Sequence, residues 1–106
     1  IKSEANYCLG ITRFSSPIQR AIRVSKQNRL KMFDQGNSQK RSQDLDEAYH
    51  DAGQFCWGKA SSFKEELSLY SGSTLPFVLP RHLVQDIDTM EDWVRAEAMF
   101  EILKKN

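Results

Sequence analysis

Asp86 and Asp88, separated by Ile87 and followed by Thr89, are the residues of this chain best suited to chemistry, because two carboxylates at that spacing can share one hard cation. If Leu83 to Asp88 is a strand, period-two alternation puts Val84, Asp86 and Asp88 on one face, with the two aspartates roughly 7 Å apart at Cα. Mg²⁺ beside phosphates is commonly held by one or two carboxylates together with phosphate oxygens, so a pair at a strand end suffices. The same residues also suit the start of a helix, since Thr89 followed by Asp92 resembles a capping box. On spacing alone, metal binding and capping both stand.

Two other aspartate motifs fail. An EF-hand loop counted from Asp86 requires glycine at its sixth position, which here is Glu91. An aspartyl-phosphate phosphatase motif must precede most of its domain, whereas 18 residues follow Asp88.

The elements that must position these carboxylates belong to a chain of 106 residues, enough for one modest core. With 40% hydrophobic and 27% charged residues the composition is that of a globular protein rather than a disordered one. Fifteen basic residues against 14 acidic ones leave a net charge of +1, which argues against a nucleic-acid or membrane-surface partner. No apolar run approaches the roughly 20 residues a membrane span needs, and no signal peptide opens the chain, so a cytoplasmic location is the default expectation. The start at Ile1 rather than methionine suits a processed chain or a part of something longer. Cys8 and Cys56 lie far apart without a Cys-x-x-Cys or paired-histidine spacing, and both are expected to be reduced, buried thiols. His50 and His82 are isolated and read as structural residues.

Partial alternation predicts strands over Ala5–Thr12 and Ile18–Val24, with Arg20 interrupting the apolar face of the second. Leu30–Phe33 is a shorter strand, residues 34–39 a mobile loop and residues 44–49 a helical turn. Gly53–Trp57 reads as a buried strand and Lys59–Tyr70 as a helix through Phe63, Leu67 and Tyr70. Leu75–Pro80 is extended but carries two prolines, which confine it to an edge or a crossing segment. Met90–Lys105 is a helix whose Trp93, Ala96, Phe100 and Leu103 form one stripe. Strands followed by βα alternation define an α/β protein, and no glycine-rich phosphate loop accompanies it.

Arg41-Ser42-Gln43-Asp44-Leu45-Asp46-Glu47-Ala48-Tyr49-His50-Asp51-Ala52-Gly53-Gln54-Phe55, followed by Val84-Gln85-Asp86-Ile87-Asp88-Thr89-Met90-Glu91-Asp92-Trp93, resembles the C-terminal half of the acylneuraminate cytidylyltransferases, closest to the pseudaminic acid type. The resemblance implies the C-terminal half of a Rossmann-like nucleotide-diphospho-sugar transferase fold, with residues 14–45 as a dimerisation arm and 46–106 as part of the core. It implies a homodimer that joins a nine-carbon sugar acid to CMP, using CTP and Mg²⁺. Asp86 and Asp88 would then hold the metal, and Arg41 would bind the sugar carboxylate or a phosphate. Gln43, Tyr49, His50 and Phe55 would line the sugar pocket, although Tyr49 and Phe55 also read as core aromatics. Asp46 stands where the family usually has proline and Cys56 where it has an aromatic. Nothing in the chain matches the family's CTP-binding loop, so the expectation is a chain inactive by itself. The alternative is a stand-alone non-catalytic remnant, a dimeric module for a sugar acid or a protein.

Overall fold

The computed structural model describes residues 4–37, 39–70 and 72–105. They form β1 (Tyr7–Arg13), β2 (Ile22–Val24), β3 (Leu30–Met32), β4 (Tyr49–Gly58), α1 (Ala60–Lys64), β5 (Thr74–Val78) and α2 (Met90–Lys104). Single 3₁₀ turns occur at Ile18–Arg20, Gln35–Asn37, Ser42–Asp44 and Arg81–Leu83. The expected α/β class is borne out. The chain divides into two compact units, one made of Ile1–Thr12 with His50–Asn106, the other of Arg13–Tyr49.

The first unit is built on a sheet in the order β4-β1-β5. β1 and β5 run parallel, from Tyr7 opposite Thr74 to Ile11 opposite Val78. Pro76 is tolerated because β5 is an edge strand. Lys59 N donates to Asn6 O at 3.1 Å at one end of β4, and Phe14 N donates to Ala48 O at 3.0 Å at the other, so β4 runs antiparallel to β1. Between these ties β4 uses more residues than β1. Gly53, at φ 70°, has the backbone conformation of a bulge glycine and is placed to absorb the excess.

Among the described residues the buried apolar side chains are Tyr7, Leu9 and Ala52. Tyr7 is the centre of the packing, its ring edge-on to Phe63 at 5.1 Å and its hydroxyl donating to Ser62 O at 3.0 Å and Leu67 O at 2.8 Å. Gly58 permits this, since a Cβ there would meet Tyr7 Cδ1 at 2.6 Å and Phe63 Cε2 at 2.7 Å. The helix expected over Lys59–Tyr70 is only the five residues of α1. Glu66 turns left-handed at φ 54° and Leu67 N bonds back to Ser62 O at 3.1 Å, which closes the helix with a Schellman-type reversal.

Within the Arg13–Tyr49 unit, β2 and β3 pair antiparallel, with Ile22 opposite Met32 and Val24 opposite Leu30. The strand expected from Ile18 begins only at Ile22, because Pro17 O and Ile18 O accept the Arg20 and Ala21 amides in a 3₁₀ turn. Arg20 therefore does not interrupt a sheet face. Its guanidinium donates to Lys40 O. Of the loop expected over 34–39, Ser38 lies outside the described residues, and residues 34–37 are tied by local bonds: Asp34 accepts from Gly36 N at 3.0 Å and from the buried Asn37 Nδ2 at 3.1 Å, which also donates to Gln19 O. The helical turn expected at 44–49 shifts to Ser42–Asp44, and β4 starts at Tyr49.

No helix among the described residues is long and apolar enough to cross a membrane. Cys8 is half-buried and Cys56 exposed, so the expectation of two buried thiols is corrected: β4 is an edge strand with little above Cys56.

Candidate functional site

Asp86 and Asp88 do not stand on a strand. The expected strand over Leu83–Asp88 is replaced by the 3₁₀ turn Arg81–Leu83 and an irregular segment that ends at α2. Local bonds take several of the amides that a ladder would need. Leu83 N and Val84 N donate to Pro80 O and Arg81 O, while Asp88 N and Thr89 N donate to Asp92 Oδ2 at 3.0 and 3.1 Å.

The capping box read from the sequence is present. Thr89 Oγ1 accepts from Asp92 N at 3.1 Å and Asp92 returns the bond to the Thr89 amide. The hydrogen bond from the Asp88 amide, and after it the Thr89 side chain, hold the Asp92 carboxyl below its ordinary value. The capping residues are thereby distinct from the two candidate carboxylates. Thr89 and Asp92 satisfy the helix start, and the Asp86 and Asp88 side chains, both on exposed residues, take no part in it. Among the described residues no cluster of three or more His, Cys, Asp or Glu could hold a metal by itself. Two exposed carboxylates nonetheless fit Mg²⁺, a hard cation that keeps most of its shell as water and phosphate oxygen.

Asp86 has a defined neighbour in β4. A Cβ built on Gly53 would lie 3.4 Å from Asp86 Oδ1 and 3.5 Å from its Cγ, so bare backbone faces the carboxylate. Gly53 N donates to Asp51 Oδ1 at 2.8 Å, and Gln54 Nε2 donates to Leu83 O at 2.9 Å. Asp51, Gly53 and Gln54 lie in the run that carries the family resemblance, which gives them no site role. A glycine inside a strand-like run was the available signal.

Two other site residues of the same unit lie on β4. His50 Nδ1 meets Asp51 O at 2.9 Å. Phe55 is half-buried, edge-on to Phe77 at 5.6 Å, and covers Gly10, where a Cβ would come within 2.9 Å of its ring. It helps line an apolar groove of about 490 Å³ with Cys8, Trp57, Leu75 and Phe77 on one face of the sheet. Arg41, Gln43 and Tyr49 belong to the other unit. Arg41 Nε pairs with Asp44 Oδ2 at 3.1 Å, and Tyr49 donates its hydroxyl to Glu47 Oε2 at 2.9 Å. Gln43 is exposed on the Ser42–Asp44 turn.

The first unit is thus an α/β sheet with a carboxylate-bearing segment leading into a helix. No family model matches the chain. Among curated proteins it is 40% identical over 102 residues to the pseudaminic acid cytidylyltransferase of Campylobacter jejuni subsp. jejuni serotype O:23/36, covering 96% of this chain and 44% of that protein. Identity is 39% over the same span to the enzyme of that name from serotype O:2. It is 31% over 100 residues to a Helicobacter pylori protein named pseudaminic acid cytidylyltransferase and UDP-2,4-diacetamido-2,4,6-trideoxy-beta-L-altropyranose hydrolase, of which 19% is covered. The chain is thus related to the cytidylyltransferases, and within them to those named for pseudaminic acid. It spans less than half the length of the two Campylobacter relatives.

Proposed function

We propose that this chain is the metal- and sugar-binding portion of a cytidylyltransferase that activates a nonulosonic acid, of the pseudaminic or sialic type, to its CMP-sugar with CTP. The observation that carries this reading is the division of labour before α2, where Thr89 and Asp92 cap the helix and leave Asp86 and Asp88 open to solvent. Those two carboxylates would hold Mg²⁺, which supplies positive charge to the phosphates when bound. Arg41 suits a sugar carboxylate or a phosphate, because its present pairing with Asp44 joins two exposed groups and is worth little. Gln43, Tyr49, His50 and Phe55 would contact the sugar. Residues 14–45 would serve as the arm of a homodimer, working in the cytoplasm. Alone, the chain would not turn over CTP, since nothing in its sequence matches the family's CTP-binding loop.

The test joins the chain to the portion of a Campylobacter relative that it does not cover, and measures CMP-sugar formation. Mg²⁺-dependent product is expected, with Asp86→Ala and Asp88→Ala each lowering kcat/KM by roughly 10²-fold or more. A chimera that is active and indifferent to both substitutions would overturn the reading.

A further inference from the structure

The segment carrying Asp86 and Asp88 has no strand pairing to fix it, yet a carboxylate that is to hold a cation must be held within about half an ångström of its place. Its two ends are tied. At one end Gln54 Nε2 donates to Leu83 O at 2.9 Å. At the other, the Asp88 and Thr89 amides are gathered by Asp92 Oδ2. Between these ties the Asp86 carboxyl rests against Gly53, whose left-handed backbone at φ 70° is braced by Asp51 Oδ1 on its amide at 2.8 Å.

We propose that Asp51 and Gln54 of β4 are positioning residues for Asp86: Gln54 anchors the segment at Leu83, and Asp51 holds Gly53 in the bulge that offers Asp86 a flat backbone surface. The proposal rests on the reading of Asp86 as a metal ligand and adds the groups that orient it. Each residue acts through a hydrogen bond that a change of side chain can remove without touching the carboxylates. Gln54 uses its amide as a donor, and Asp51 uses one oxygen as an acceptor. Asparagine at position 51 keeps an acceptor oxygen and loses the charge, so the two contributions can be told apart. Outer partners that orient a ligand commonly change metal affinity by roughly 10- to 100-fold when removed.

The experiment titrates the 106-residue chain with Mn²⁺ and follows paramagnetic broadening of its backbone amide resonances, with the Gly53 amide as a reporter beside Asp86. Wild type should show broadening centred on Gly53 and residues 86–88. Gln54→Met and Asp51→Ala should each weaken the apparent Mn²⁺ affinity by roughly 10-fold with the remaining resonances in place, and Asp51→Asn should restore it. In the chimera, the same two variants should raise the Mg²⁺ concentration needed for half-maximal rate while kcat at saturating Mg²⁺ stays near wild type. If Asp86→Ala weakens Mn²⁺ binding but Gln54→Met and Asp51→Ala do not, the positioning roles are overturned and the metal reading survives. If Asp51→Asn is as weak as Asp51→Ala, Asp51 acts by charge and its positioning role is overturned. If Asp86→Ala leaves Mn²⁺ binding unchanged, the metal reading falls and this proposal falls with it.

Discussion

The Thr89 hydroxyl oxygen accepts the Asp92 amide at 3.1 Å, while Asp92 Oδ2 accepts the amides of Thr89 at 3.1 Å and Asp88 at 3.0 Å. One carboxylate thus satisfies two donors ahead of α2. Thr89→Ala removes half of the exchange and should lower stability by roughly 1 kcal/mol, as loss of a helix cap commonly does. Chemical denaturation followed by circular dichroism checks it.

The same box sets a pH dependence. The Asp92 carboxyl has its folded-state value lowered, chiefly by the Asp88 amide. Its contribution is therefore present above the ordinary carboxylate range, near pH 4, and is lost as the pH falls through the lowered value. Helix signal should hold steady from neutrality down to about pH 5 and weaken in acid below roughly pH 4. Asp92→Asn should remove that component of the acid transition; an unaltered transition would show that other carboxylates govern it.

Tyr7 is 3% exposed and its hydroxyl serves two carbonyls, of Ser62 and Leu67, at the point where α1 reverses. Tyr7→Phe leaves both without this donor and should cost roughly 1–3 kcal/mol, read from the denaturation midpoint. Gly58→Ala should be worse. Its Cβ would press on both the Tyr7 and Phe63 rings, at 2.6 and 2.7 Å, and the buried Tyr7 ring cannot yield without opening the packing.

Periodicity made the regular parts of the fold legible and local hydrogen bonding decided the rest. The final helix was readable from Thr89, Asp92 and its apolar stripe, and the proline-bearing segment at Leu75 from the rule that confines proline to edges. The strand assigned to Leu83–Asp88 failed because alternation cannot reveal that Pro80, Arg81 and Asp92 claim its backbone groups. The stripe on α2 also misled in one respect, since Trp93 and Phe100 are 53% and 62% exposed. Hydrophobic spacing names the face a helix would bury, not what is there to bury it. Of the candidate site, the aspartates were visible as a pattern. Their neighbours Gly53 and Gln54 were not, because contacts between β4 and a segment some thirty residues later leave no local signature.

Cys56 is exposed on β4, but partial desolvation of its sulfur, then the Asp51 carboxylate and Cys8, push its thiol above the ordinary value. The thiolate is the reactive form, so exposure alone overstates how readily this residue reacts. In a Cys8→Ser background, the pH at which modification by a disulfide reagent reaches half its maximal rate should lie above that of an unstructured cysteine peptide. Asp51→Asn should move it down. A profile matching the peptide in both forms would show that neither desolvation nor Asp51 acts on the sulfur.

The open face of the sheet offers a last measurable consequence. Cys8, Phe55, Trp57, Leu75 and Phe77 line one groove, and Trp57 and Phe77 remain 69% and 53% exposed. A contiguous apolar patch in water gains little from its own residues, because side chains that stay wet contribute almost no transfer free energy to folding. Replacing Trp57 and Phe77 together by serine should therefore leave the thermal midpoint of the chain within a few degrees, while sharply reducing binding of a hydrophobic dye and self-association at high concentration. Tyr7 supplies the contrast on the same sheet: it is buried, and its truncation to alanine should unfold the chain, by the roughly 3–5 kcal/mol that loss of a core aromatic costs. If the serine pair instead destabilises the chain as strongly as Tyr7→Ala, the face is closed in solution and its groove is not available to water.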